Sequence, residues 1–388
     1  MTSRWAFVPF ALFVFVLPFP HTTSVRLTCL LVAFLMAVAC WRRLGTTAAV
    51  PGRWPIAFWA LLAIASVTYS FDPGYSLSEV KNEVGYTLMA YVAFFAFCRD
   101  ERQLAWLAGA LAAATLLIAT WGLGGTLQTG LWREDAGHGG GGGVSAFLCV
   151  SMPLLLVTAT AVEPRHRRWL VAALILGLLA GFATRQRILW PVWLLQFGIA
   201  SVVLLRLRLI GWSRKGTVIV AAVAVAVAIT GLVGTQKWRA DTGQIRAVDS
   251  RQAAWPAVVD RVLEQPLKGV GFGRQAMRKG YPELFSQEDV LFWHAHNMFL
   301  NAAISMGIPG ALALLVLFAW FGYLYLRLLG TNEALLQRIG VAGLLLLVGV
   351  VGRNLTNDFF VRDGALLFWA LNGALLGVAC RRQRSRAA

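Results

Sequence analysis

Residues 335–351 read LLQRIGVAGLLLLVGVV and residues 364–380 read GALLFWALNGALLGVAC, with only the polar turn GRNLTNDFFVRD (352–363) between them. A hydrocarbon core about 30 Å thick takes about 20 apolar residues of helix, so each run is nearly long enough to cross it. The runs are apolar throughout and do not alternate with period two, which argues against a membrane β-barrel. Ten more such runs precede them, near 5–20, 25–41, 54–70, 84–98, 104–123, 144–162, 169–184, 188–205, 216–234 and 298–327. Composition agrees: the 388 residues are 58% hydrophobic and 14% charged, whereas soluble domains carry about 25% charged residues. The sequence therefore predicts an all-α polytopic membrane protein with about 12 transmembrane helices. Residues 1–234 are expected to form a nine-helix transmembrane region, 235–297 one large loop domain containing short helices, and 298–388 a three-helix region with a basic tail.

The net charge is +17, from 35 Lys and Arg against 18 Asp and Glu. In a soluble chain that excess would suggest nucleic acid; here it follows the membrane. With the N-terminus in the cytoplasm, 19 basic residues fall in inside segments and 7 in short outside loops, the other nine lying in 235–297. Short cytoplasmic loops collect Lys and Arg, and long loops largely escape that bias. Both termini are thus expected inside, the long loop outside, and no nucleic-acid partner is expected. No small-residue cleavage site follows the first apolar run, which reads as a retained span. The five cysteines lie within or at the ends of apolar runs, so no disulfide is expected.

Four outside clusters could carry chemistry. Thr184-Arg185-Gln186-Arg187 puts two arginines in a very short external turn just before Trp190, where the charge bias disfavours them. A guanidinium forks bidentately onto phosphate and so suits a lipid-linked phosphate. The plain alternative is an interfacial anchor beside Trp190. In the long loop, Asp249-Ser250-Arg251-Gln252 resembles a helix start with an acidic N-cap. Trp255, Val258, Val259, Val262 and Leu263 recur at helical spacing until Pro266, giving an amphipathic helix over 250–264 on the membrane face of the loop. Arg251 in its first turn would either strengthen an anion site at the helix N-terminus or pair with Asp249.

The third cluster, Trp293-His294-Ala295-His296-Asn297, directly precedes the run at 298. A histidine there can take a proton from a sugar hydroxyl, and Asn297 is placed to cap the following helix. His-x-His could bind metal, but no third ligand is evident, so neither metal nor cofactor is expected. The fourth cluster, the turn 352–363 with Arg353, reads as a plain loop. Gly137 to Gly143 reads as a flexible hinge. Gly269-Val270-Gly271-Phe272-Gly273 reads as a turn leaving the loop helix, since no βαβ unit surrounds it.

Arg251-x-x-x-Trp255, Pro266-Leu267-x-Gly269-Val270-Gly271-Phe272-Gly273, His294-x-His296-Asn297 and the run ending Met306-Gly307-Ile308-Pro309-Gly310 together resemble the O-antigen ligase and polymerase superfamily of bacterial envelope glycosyltransferases. Thr184-x-x-Arg187-x-x-Trp190 and Arg353-Asn354-x-x-x-Asp358 look like the ligases as well. The resemblance implies a GT-C-like fold and metal-independent transfer of O-antigen polysaccharide from undecaprenyl pyrophosphate to a lipid A–core sugar hydroxyl. The reaction would take place at the periplasmic face of the bacterial inner membrane. By that resemblance Arg187 and Arg251 hold the diphosphate, and His296 orients or deprotonates the acceptor hydroxyl. Arg185, His294, Asn297, Trp255 and Arg353 join them as substrate-binding residues. Spacing to Trp190 favours Arg187 over Arg185, and adjacency to Asn297 favours His296 over His294. Implied partners are the lipid-linked glycan donor, the lipid A–core acceptor and membrane lipids. An O-antigen polymerase extending lipid-linked repeats shares these motifs. A transporter of lipid-linked sugars should carry ionisable residues inside its spans, whereas this chain keeps them at the outer interface.

Overall fold

A computed structural model of the chain describes residues 4–39, 41, 50–210, 229–231, 233, 234, 246–284 and 294–387, with the backbone alone for Arg4, 246–254 and Ala387. Every regular element among the described residues is helical. The first half holds α1 (Val8–Val16), α2 (Thr23–Ala39), α3 (Arg53–Ser66), α4 (Pro73–Glu79), α5 (Tyr86–Phe97), α6 (Glu101–Thr129), α7 (Gly141–Ala159), α8 (Pro164–Ala183) and α9 (Leu189–Arg206). Then follow α10 (Arg246–Glu264), α11 (Ala276–Gly280), α12 (Met298–Met306), α13 (Ile308–Leu329), α14 (Ala334–Asn354) and α15 (Arg362–Ala387). Seven of these, α6 to α9 and α13 to α15, are long and apolar enough to cross a membrane.

Several expected spans take other forms. The first is a helix of about three turns, Trp5–Val16. The run at 84–98 is the end of a longer rod, in which α4, a π-helical segment Val80–Gly85 and α5 follow without a break. The run at 298–327 divides at Gly307, whose φ is +77° and whose Cβ, if it had one, would lie 2.7 Å from the Leu267 backbone. A side chain does not fit there, so the chain turns and starts α13 anew. The run at 216–234 lies almost wholly outside the described residues.

The core is aromatic where α15 packs along α5. Trp369 sits among the rings of Trp59, Tyr91, Phe321 and Phe368, with centroids 5.5 to 6.0 Å away. Polar side chains tie apolar helices together, as packing in lipid favours. Gln196 of α9 donates to the carbonyls of Cys149 in α7 and Leu345 in α14, at 2.7 and 2.8 Å.

The loop helix α10 starts at Arg246, four residues before its expected start. Asp249 and Arg251 therefore lie inside the helix and not at its N-terminus, because the residues upstream continue the helical turn. Its Val258 and Val262 are buried against Ala303 and Ile304 of α12, while Val259 and Leu263 stay exposed. The segment after α10 is not a simple turn. Val270 and Gly271 donate to the carbonyls of Ile304 and Ser305 at 2.9 and 3.0 Å, satisfying acceptors that the end of α12 leaves open. This fixes α12, and with it the residues just before it.

Candidate active site

The starts of α7, α9, α12 and α15 and the end of α14 meet at one end of the bundle. Gly141 to Gly143 form the first turn of α7, behind the extended Gly140, and are not a hinge. Their lack of side chains lets two neighbours come close. A Cβ on Gly142 would lie 2.6 Å from Cζ of Phe359, and one on Gly141 would lie 3.2 Å from the Thr184 carbonyl.

Arg353 belongs to the last turn of α14 and not to the polar turn, and its side chain is buried. Its Nε donates to Ser145 Oγ at 2.9 Å, and its Nη2 donates to the Gly142 carbonyl at 3.3 Å and Gln186 Oε1 at 3.5 Å. The guanidinium lies 4.7 Å from the Phe359 ring centre. Arg274 approaches the same ring at 5.9 Å. Phe359 thus stands against two cations, each contact favourable through the ring quadrupole. Burial disfavours charge on Arg274, with the Asp358 carboxylate acting in the opposite sense.

The histidines lie beside Arg274. Asn297 caps α12 as expected, its Oδ1 accepting from the amides of Phe299 at 2.9 Å and Leu300 at 3.1 Å. Such a cap contributes about 1 kcal/mol. Its Nδ2 donates to the Leu355 carbonyl at 3.0 Å, so the cap also ties the turn 355–361 to this corner. Trp255 of α10 donates from Nε1 to the Ala295 carbonyl at 2.9 Å. Its role in the structure is to hold the His-Ala-His turn. His294 and His296 are buried, their ring centres 4.1 Å apart. The His294 ring accepts the His296 amide at Nδ1, 3.0 Å away, and Arg274 reaches its Nε2. Nδ1 of His294 is thus occupied by a backbone N–H. His296 adopts a left-handed backbone, φ +50°, and its Nδ1 is 3.3 Å from Asn357 Oδ1. Left-handed non-glycine residues cost energy and gather at functional sites; Arg185 and Arg362 at this end of the bundle are two more.

Behind the histidines lies a cavity of about 70 Å³, lined in part by Glu83, Arg274, Asn301 and Asp358. Asn301 donates to the Asp358 carboxylate and accepts the Ala295 amide at 3.4 Å. Burial raises the Asp358 carboxyl above the usual carboxylate range, opposed by Arg274 and the Asn301 bond. Glu83, on the π-helical segment, accepts the Arg362 amide at 2.6 Å.

The two arginines of the turn before α9 differ. Arg185 donates to the Gly130 carbonyl at 3.1 Å and so anchors the loop after α6. Arg187, half-buried in the turn before α9, makes no side-chain bond to any other described residue. The side chain of Arg251 lies outside the described residues. Sequence reasoning passed over Arg274 and Asn301, and read Asn357, Asp358 and Phe359 as members of the polar turn 352–363. The one signal for Arg274 is its place directly after Gly271-Phe272-Gly273.

Residues 172–315 match the O-antigen ligase family. The match runs from α8 into α13 and spans just over a third of the chain. It takes in Arg187, Arg251, Arg274, His294 and His296, and stops short of Arg353, Asn357 and Phe359. It supports the likeness to the O-antigen ligase and polymerase superfamily. No curated protein matches the chain.

Proposed function

We propose that the chain is a periplasmic-face glycosyltransferase of the inner membrane, moving O-antigen polysaccharide from undecaprenyl pyrophosphate to a sugar hydroxyl of lipid A–core. The observation that carries this reading is that Arg274 and Arg353 flank Phe359, with His294 beside Arg274 and Gln186, the neighbour of Arg187, against Arg353, at one end of an apolar helix bundle and within or beside the matched stretch. A diphosphate is anchored at headgroup depth in a membrane, which is where such a cluster of guanidiniums is useful. In this reading Arg187, whose side chain is bonded to no other described residue, meets the diphosphate and stabilises charge on the departing group. Arg251 assists from α10.

His296 takes the proton of the attacking sugar hydroxyl. Asp358 N–H donates to Asn357 Oδ1 at 2.9 Å, which turns that oxygen toward His296 and makes Nδ1 the protonated nitrogen. The lone pair that accepts a proton is then on Nε2. Bond formation from the acceptor oxygen to the sugar carbon accompanies cleavage of the bond to the diphosphate oxygen, and the diphosphate leaves as an anion on the arginines. No metal ion enters these steps. Among the described residues no group of three His, Cys, Asp or Glu stands together.

The experiment is lipopolysaccharide profiling of a strain lacking the gene. Unsubstituted core with accumulated lipid-linked polymer is the expected result. Core carrying a single repeat would assign the chain to polymerisation instead, a reading favoured by nothing specific in the site.

A further inference from the structure

At the end of the bundle away from the histidines, a cleft of about 90 Å³ lies between the start of α6, the end of α7, the start of α14 and the middle of α15. Its walls are apolar, with Leu111, Leu154 and Leu371 deep inside and Glu101 and Arg338 at the mouth. By helix rise, Glu101 to Leu111 gives it a depth of about 15 Å. An apolar cavity offers water too few hydrogen-bond partners to hold it, whereas a hydrocarbon chain regains dispersion contacts along such walls.

The two charges at the mouth are of opposite sign, yet they are not joined to each other. Arg338 Nε is buried with no hydrogen-bond partner among the described residues, and Glu101 forms no ion pair with any of them. Neighbouring acids are already engaged: Glu333 binds Arg382 and Arg386, and Glu163 binds Arg165 at 2.8 Å. An occupant complementary to this mouth has an apolar tail, an anionic group for Arg338 and a cationic N–H donor for Glu101.

We propose that this cleft binds one amine-bearing phospholipid, with an acyl chain between α6, α7, α14 and α15, its phosphate on Arg338 and its ammonium on Glu101. The site is independent of glycan transfer. Arg338 at the phosphate sits in a low-dielectric surround, where a charge-assisted hydrogen bond is strong.

The full chain, reconstituted in vesicles of equal parts phosphatidylethanolamine and phosphatidylglycerol, is extracted in mild detergent and weighed intact by native mass spectrometry. One retained phosphatidylethanolamine per chain is expected. Arg338→Ala should lower its retention about tenfold, the low end for a lost charged hydrogen bond, and Arg338→Lys should restore part of it. Glu101→Gln should leave a lipid bound but remove the preference for the amine headgroup. Ala108→Phe, which fills the cleft without touching either charge, should displace the lipid. Equal retention of both lipids by the unaltered chain, no retained lipid, or retention unchanged in Arg338→Ala would overturn the proposal.

Discussion

His296 and Asn357, 61 positions apart, meet at 3.3 Å between Nδ1 and Oδ1, so the turn before α12 and the turn after α14 are held side by side. The backbone amide of Asp358 holds the Asn357 oxygen in place at 2.9 Å. That bond chooses the histidine tautomer, as orienting groups do for general bases.

Asn357→Ala should therefore lower turnover while leaving protein abundance and donor binding unchanged. Loss of about 10- to 100-fold is expected, less than loss of the base itself, which is worth about 10²–10⁴. Steady-state transfer by the purified variant tests this; turnover equal to the unaltered chain would detach Asn357 from the mechanism.

Arg187→Lys should fail nearly as badly as Arg187→Ala, because an ammonium cannot reproduce a bidentate fork on phosphate. Removing a donor to developing charge typically costs about 10²–10³ in rate. By contrast Arg185→Lys should be mild, since an ammonium can still donate to the Gly130 carbonyl that Arg185 reaches. Transfer rates of the three variants, compared at equal abundance, separate a phosphate ligand from an interfacial anchor. Full activity in Arg187→Ala favours the anchor.

Gly142→Val puts a side chain where Phe359 Cζ would be 2.6 Å away. The ring must move, and Arg353 and Arg274 then lose their common neighbour. Misplacement of about 1 Å at an active site can cost about 10²-fold, and a loss of that order is expected in transfer, with helix content unchanged by circular dichroism. Unchanged transfer would mean that the glycines serve packing alone.

Seven membrane-length helices were legible in the sequence because hydropathy reports burial in lipid directly. Gly307 broke one expected span for a reason hydropathy does not register, a backbone dihedral and the nearness of Leu267. Asp249-Ser250 looked like a cap, but Arg246-Ala247-Val248 are themselves helical, and the helix simply starts earlier. His296 and Asn297 were readable from type and position. Arg274 was one of nine basic residues in a long loop, and only its burial against Phe359 and His294 distinguishes it. Phe359 itself reads as apolar filler until two guanidiniums are seen beside its ring.

Asp358 gives a stability signature. Burial raises its carboxyl, so the folded chain binds that proton more tightly than the unfolded chain does. Stability from this group is present at low pH and is lost as pH rises through the raised value. Asp358→Asn, which can still accept from Asn301, should melt like the unaltered chain in acid and above it as pH rises toward neutrality. Melting curves in detergent across that range check the sign; an advantage of the unaltered chain that grows with pH would show the Arg274 attraction to dominate.

The most direct test of the central claim is reconstituted transfer with purified chain, lipid-linked glycan and lipid A–core acceptor, comparing the unaltered protein with His296→Ala. The account predicts that donor binding persists while transfer falls by at least about 10²-fold. Transfer at the unaltered rate by His296→Ala would contradict it.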